Sequence, residues 1–125
     1  MNPAGLILFA HGARDPRWAL PFEAVAERIR STRPGVLVRL AYLEFLSPDL
    51  EAAGAELVMA GCRRVAVVPM FLGGSGHVRR DLPRLLDRLR SVHPGVPFTL
   101  HTAIGEVASV ADAMAAAAAA TLDAS

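Results

Sequence analysis

Two segments of this chain carry the pattern His-x-x-Arg-Asp just beyond an apolar run. HGARDPRW (11–18) follows LILFA, and HVRRDLPR (77–84) follows VAVVPMFL through a glycine-rich GGSG. Between them, AYLEFLSP (41–48) places the carboxylate Glu44 at the end of another apolar run. A single histidine after a buried strand is commonly a packing or capping residue. Two in matched settings, with an acid between them, form a borderline ligand set suited to Fe(II), Co(II), Ni(II) or Zn(II) and unsuited to calcium. The same three groups, His11, His77 and Glu44, can accept protons near neutral pH. No H-E-x-x-H and no cysteine pair is present, so the set works as a metal site only if the fold gathers it.

The elements that must do so alternate. Short apolar runs at 5–11, 36–45, 64–72 and 96–103 read as buried strands. Between them, Asp15-Pro16 and Ser47-Pro48-Asp49 start helices, and Pro34-Gly35 and Pro94-Gly95 stop them. An Ala-rich helix closes the chain. Strand–helix alternation predicts a three-layer αβα domain over 1–125, with a four-stranded parallel sheet and right-handed crossovers. RSTRPGVLVRL (30–40) and RSVHPGVPFTL (90–100) agree at six of eleven positions, which suggests two βαβα half-repeats. In such sheets ligands bind beyond the carboxyl ends of the strands. His11, Glu44, the loop Gly73-Gly74-Ser75-Gly76-His77 and the segment 102–106 all fall there.

The loop glycines allow close backbone approach and offer N–H groups at a helix start, where anions are held. Arg14, Arg79 and Arg80 stand beside these segments and suit a carboxylate or phosphate ligand. Neither a P-loop nor GxGxxG is present. All 13 basic side chains are arginine, against 12 acidic ones, so a net charge of +1 does not point to nucleic acid. The single Cys62 reads as a structural thiol. His93 reads as a solvent-exposed turn residue, His101 as a core histidine, and Met59, Met70 and Met114 as core filler. One of Tyr42 and Phe45 is expected in the core, and Trp18 either covers the cleft or packs on the first helix. Without a signal segment or an apolar span of membrane length, a cytoplasmic protein is the expectation.

Taken together, LILFAHGARDPRW, LAYLEFLSPDLEAA and VAVVPMFLGGSGHVRRDLPRL resemble the small, single-domain sirohydrochlorin chelatases, the CbiX-type class II chelatases. The resemblance implies a chelatase-like (flavodoxin-like) fold and ATP-independent insertion of Co2+ or Fe2+ into sirohydrochlorin, in cobalamin or siroheme biosynthesis. By the same resemblance His11 and His77 bind the incoming metal and help remove pyrrole protons, with Glu44 assisting. Gly73, Gly74, Ser75, Gly76, Arg14, Arg79 and Arg80 would then hold the macrocycle. The metal (Co2+, Fe2+ or Ni2+) is a substrate and no tightly bound cofactor is implied. Larger relatives carry two such modules, so the small form is expected to pair as a homodimer, with no membrane or nucleic-acid partner. Two rival readings are a non-catalytic metal or tetrapyrrole carrier, and a histidine phosphatase. The latter needs an arginine before His11-Gly12, where this chain has Ala10.

Overall fold

The computed structural model describes residues 3–73 and 76–124; the side chains of residues 76–79 and 124 lie outside that description. Its strands are β1 (Ala4–Ala10), β2 (Val36–Tyr42), β3 (Val65–Pro69) and β4 (Phe98–Leu100). Its helices are α1 (Leu20–Thr32), α2 (Leu50–Met59), α3 (Gly76–Val92) and α4 (Ala108–Ala120). All four strands pair in parallel in the order β2-β1-β3-β4. The chain thus turns outward in both directions from β1 and β3, and the switch in strand order lies between these two.

Alternation along the strands builds two cores. Ile7, Phe9, Val65, Val67 and Phe98 face Leu50, Ala53 and Leu57 of α2 and Leu82, Leu86 and Leu89 of α3. Leu8 and Val38 face Ala26 of α1, with Leu6, Ile29, Val36 and Val68 packed around them. One sheet face therefore carries α2 and α3, and the other carries α1. α4 follows β4 yet buries none of its residues.

Both helix starts form as expected. Asp15 accepts from the Arg17 N–H at 3.0 Å, with Pro16 opening a 3-10 turn (Pro16–Ala19) that leads into α1. Asp49 accepts from the Ala52 N–H at 2.8 Å and caps α2. The Arg17 guanidinium, and then its backbone N–H, hold the Asp15 carboxyl below the usual aspartate range. Cys62 lies buried at the turn into β3, where burial pushes its thiol up.

The half-repeat appears as matched contacts. Arg30 near the end of α1 pairs with Glu27 and donates to the Val38 carbonyl of β2 at 2.8 Å. Arg90 near the end of α3 pairs with Asp87 and donates to the Phe98 carbonyl of β4 at 2.8 and 3.0 Å. In both halves the turn closes alike: Val36 N–H donates to the Arg33 carbonyl, and Val96 N–H to that of His93. The shared arginine and the turn before the shared valine thus do the same structural work twice.

The strands are shorter than the apolar runs suggested. β2 ends at Tyr42 because the chain then bends sharply at Phe45, which adopts φ 68. β3 ends at Pro69, although Met70 N–H still donates to the Phe9 carbonyl at 2.7 Å. β4 is an edge strand preceded by Pro97, which has no N–H to donate.

Candidate functional site

The two central strands end at the same rim, and β2 delivers Glu44 beside it. Beyond β1 and β2 the ladder continues: Leu43 N–H donates to the Ala10 carbonyl at 3.0 Å, and Glu44 N–H to the His11 carbonyl at 3.1 Å. The two segments can lie this close because residue 12 is glycine. Gly12 adopts φ +96, and a Cβ there would sit 1.8 Å from the Glu44 carbonyl oxygen. Just past this contact Leu46 N–H donates back to the Glu44 carbonyl at 2.8 Å, closing a tight turn over Phe45.

This backbone holds His11 Nε2 3.4 Å from Glu44 Oε1, with each side chain half exposed. Phe71 meets the His11 ring edge-on, with centroids 6.3 Å apart, and in turn packs edge-on against buried Phe9. The imidazole therefore rests on the core while its outer nitrogen faces the carboxylate. Two donor atoms each about 2.1 Å from one ion, at a tetrahedral angle, lie about 3.4 Å apart. His11 and Glu44 thus stand at the spacing of neighbouring ligands on a single divalent metal. Among the described residues no group of three His, Cys, Asp or Glu side chains forms a complete metal site.

His77 is the second residue of α3, which begins beyond β3 on the rim that β1 and β3 share; its side chain lies outside the described residues. The same is true of Arg79, and Gly74 and Ser75 lie outside altogether, while Gly76 opens α3. Gly73 is exposed at the rim, where a Cβ would lie 4.0 Å from Glu106 Oε1. Glu106 is thus another carboxylate near the loop that carries His77. Its segment is held down by Gly105, whose N–H donates to the Phe71 carbonyl at 2.9 Å. A Cβ on Gly105 would stand 2.1 Å from the Leu72 carbonyl oxygen.

Arg14 lies with its guanidinium carbon 5.1 Å from the centre of the Phe45 ring. Phe45 and Leu72 are both exposed, at 57% and 75%, which gives the rim apolar surface beside its polar groups. Arg80 is exposed. Arg17 is occupied with Asp15 at 2.8 Å. Tyr42 is the core aromatic: it is buried, and Trp18 packs against it and against Phe22 of α1.

Several expectations need correction. His101 is exposed and lies past the short β4, so it is not a core histidine; its N–H still donates to the Val67 carbonyl at 2.9 Å. His93 is half-buried beside Phe98, with ring centroids 6.0 Å apart. Met59, the last residue of α2, is 89% exposed, and Met114 on α4 is exposed as well; only Met70 packs against the core. The apolar run 64–72 predicts a strand through Leu72, but β3 ends at Pro69 and Leu72 is an exposed rim residue.

The fold is an open, parallel α/β sheet with an imidazole and a carboxylate side by side beyond its strand ends. The CbiX family model matches residues 5–121, and the chain belongs to that family. A crystal structure described as a cobalamin (vitamin B12) biosynthesis CbiX protein, from Marinobacter aquaeolei VT8, superposes with a TM-score of 0.85 at 32% identity, covering 98% of this chain and 100% of that one. The sirohydrochlorin chelatase SirB of Bacillus subtilis subspecies spizizenii, solved in complex with cobalt, shares the fold with a TM-score of 0.73 at 22% identity, over 82% of this chain and 44% of that one. The sirohydrochlorin cobaltochelatase of Methanocaldococcus jannaschii is 32% identical over 88 residues, 70% of this chain and 62% of that protein. That of Saccharolobus islandicus is 35% identical over 82 residues, 66% of this chain and 62% of that protein. The matches thus span less than two thirds of the length of these curated relatives.

Proposed function

We propose that this protein inserts a divalent metal, Co2+ or Fe2+, into sirohydrochlorin without ATP, in cobalamin or siroheme biosynthesis. The observation that carries this reading is the His11–Glu44 pair, 3.4 Å apart and half open to solvent at the rim of the sheet. Membership of the CbiX family and relatives named sirohydrochlorin cobaltochelatase support it.

The chemistry asks for two things. The metal must shed water onto ligands it can leave again, and two pyrrole N–H protons must depart as it enters the ring. An imidazole and a carboxylate, both half exposed, bind a borderline metal and still release it, as a substrate requires. Once the metal has moved into the macrocycle, the same two groups are free to accept the pyrrole protons. His77, at the start of α3, supplies the second imidazole in this reading. The exposed rings and chains of Phe45 and Leu72 give a flat macrocycle an apolar surface to lie on. Its carboxylates are then held by Arg14, Arg79, Arg80 and the N–H groups of residues 73–76. The working protein is a homodimer in the cytoplasm; among the described residues no helix is long and apolar enough to cross a membrane.

The test mixes metal-free sirohydrochlorin with Co2+ or Fe2+ and follows the absorbance change with and without the protein. Metallation faster than the spontaneous rate is expected. Binding of the macrocycle with no gain in rate would instead make the protein a carrier.

A further inference from the structure

Phe45 stands in a conformation that a bulky side chain rarely takes. Its φ is 68, and the Leu46 N–H reaches back to the Glu44 carbonyl at 2.8 Å. Phe45 is thus the middle residue of a three-residue turn with positive φ, a rare and strained form. Such a turn suits glycine, and burial does not offset the strain here, because the side chain is 57% exposed. What the ring does touch is Arg14, whose guanidinium carbon lies over it, 5.1 Å from its centre. Arg14 is exposed, and among the described residues no carboxylate pairs with it, whereas Arg17 is tied to Asp15. Arg14 and Phe45 come from the two segments that the Glu44 N–H joins to the His11 carbonyl at 3.1 Å. The backbone contact that sets the His11–Glu44 pair therefore sets this pair as well.

We propose that Phe45 is a positioning residue: its ring, turned out by the left-handed backbone, holds the Arg14 guanidinium at the rim for a peripheral carboxylate of the macrocycle. The inference rests on the tetrapyrrole ligand of the proposed function, not on metal insertion. A free arginine side chain loses rotamer freedom when it grips an anion, and one already held loses less. A ring face holds a cation without claiming its N–H donors as a carboxylate would, so the planar fork of Arg14 stays open to a ligand from outside. An acidic neighbour, such as Asp15 provides for Arg17, would instead neutralise the charge. An aliphatic residue at position 45 would keep the apolar surface and lose this hold. Glycine would keep the turn and lose both. The aromatic side chain thus lowers local stability and raises affinity, the relation expected where strain sits beside a site.

Two measurements test this, the first without any ligand. Phe45→Gly and Phe45→Ala lose the same ring and differ only in the Cβ that the left-handed turn disfavours. The glycine variant should therefore melt about 2–5 °C above the alanine variant. Equal melting, or a more stable alanine variant, would remove the strain on which the inference stands and overturn it. The second measurement titrates metal-free sirohydrochlorin into each folded variant and reads its absorbance. Phe45→Leu should weaken binding roughly three- to fivefold, and Phe45→Tyr, which keeps the ring face, should restore wild-type affinity. Arg14→Gln should weaken binding about tenfold, and adding Phe45→Leu to it should change nothing further, because the ring acts through the guanidinium. The proposal is overturned by effects that multiply in the double variant, since the ring would then act on the macrocycle by itself. It is equally overturned if Phe45→Leu or Arg14→Gln binds like wild type. Metallation by the wild type is measured separately, so its failure strikes the proposed function alone. A wild type that does not bind the macrocycle overturns both.

Discussion

Replacing Gly12 by alanine should uncouple the candidate site while leaving most of the fold in place. The new Cβ would start 1.8 Å from the Glu44 carbonyl oxygen, and real Cβ contacts do not fall under 3.0 Å. The two segments must therefore part by at least about 1.2 Å, a shift applied to the backbone of Glu44 itself. That movement breaks or lengthens the Glu44 N–H bond to the His11 carbonyl, now 3.1 Å, at a cost of about 1 kcal/mol. Forcing alanine into φ +96 costs roughly 1–2 kcal/mol more. The sum is about 2–3 kcal/mol, or a fall in melting temperature of about 10 °C for a domain of this size. Misplacing one ligand by an ångström also lowers metallation by about 100-fold, measured well below the new melting point. Gly35→Ala is the control: a Cβ there meets nothing within 4 Å, so stability should change by less than about 1 kcal/mol and activity not at all. A Gly12→Ala protein that melts and turns over like wild type would refute the claim that this close approach sets the His11–Glu44 geometry.

Two further outcomes follow from the packing. Arg30→Met and Arg90→Met should each cost about 1–2 kcal/mol in chemical denaturation, since each removes a charged donor from a strand carbonyl, and the double variant should cost close to the sum. A much larger loss from one than the other would argue against equivalent halves. Cys62 should resist iodoacetamide at pH 8 in the folded protein and react fully in denaturant, because it is buried and its thiol is pushed up. Rapid labelling of the native protein would show that the turn into β3 opens.

The layered fold was legible because apolar runs of strand length alternate with capped helices, and the caps at Asp15 and Asp49 formed as the Pro and Asp spacing implies. Strand ends were not legible, since hydrophobicity continues past Tyr42 and Pro69 into rim residues such as Phe45 and Leu72 that are exposed. An apolar residue at a site edge and one in a strand look alike in sequence. The same ambiguity misplaces Met59 and Met114: both are apolar and helical, but Met59 is exposed at the end of α2 and α4 buries none of its own residues. His11 and Glu44 could be singled out from their positions after strands. Their meeting could not be, because it depends on the left-handed backbone of Gly12 and the turn at Phe45. The contact of Arg14 with Phe45 comes from the same turn and left no sequence signal.

The account stands most directly on the rate at which Co2+ enters sirohydrochlorin with purified His11→Ala, compared with wild type at matched folded concentration. The half-exposed imidazole is no core anchor, so the variant should melt within about 3 °C of wild type while metallation falls by about 100-fold or more. A His11→Ala protein that stays folded and inserts metal at the wild-type rate would contradict the assignment of this rim as the site of chemistry.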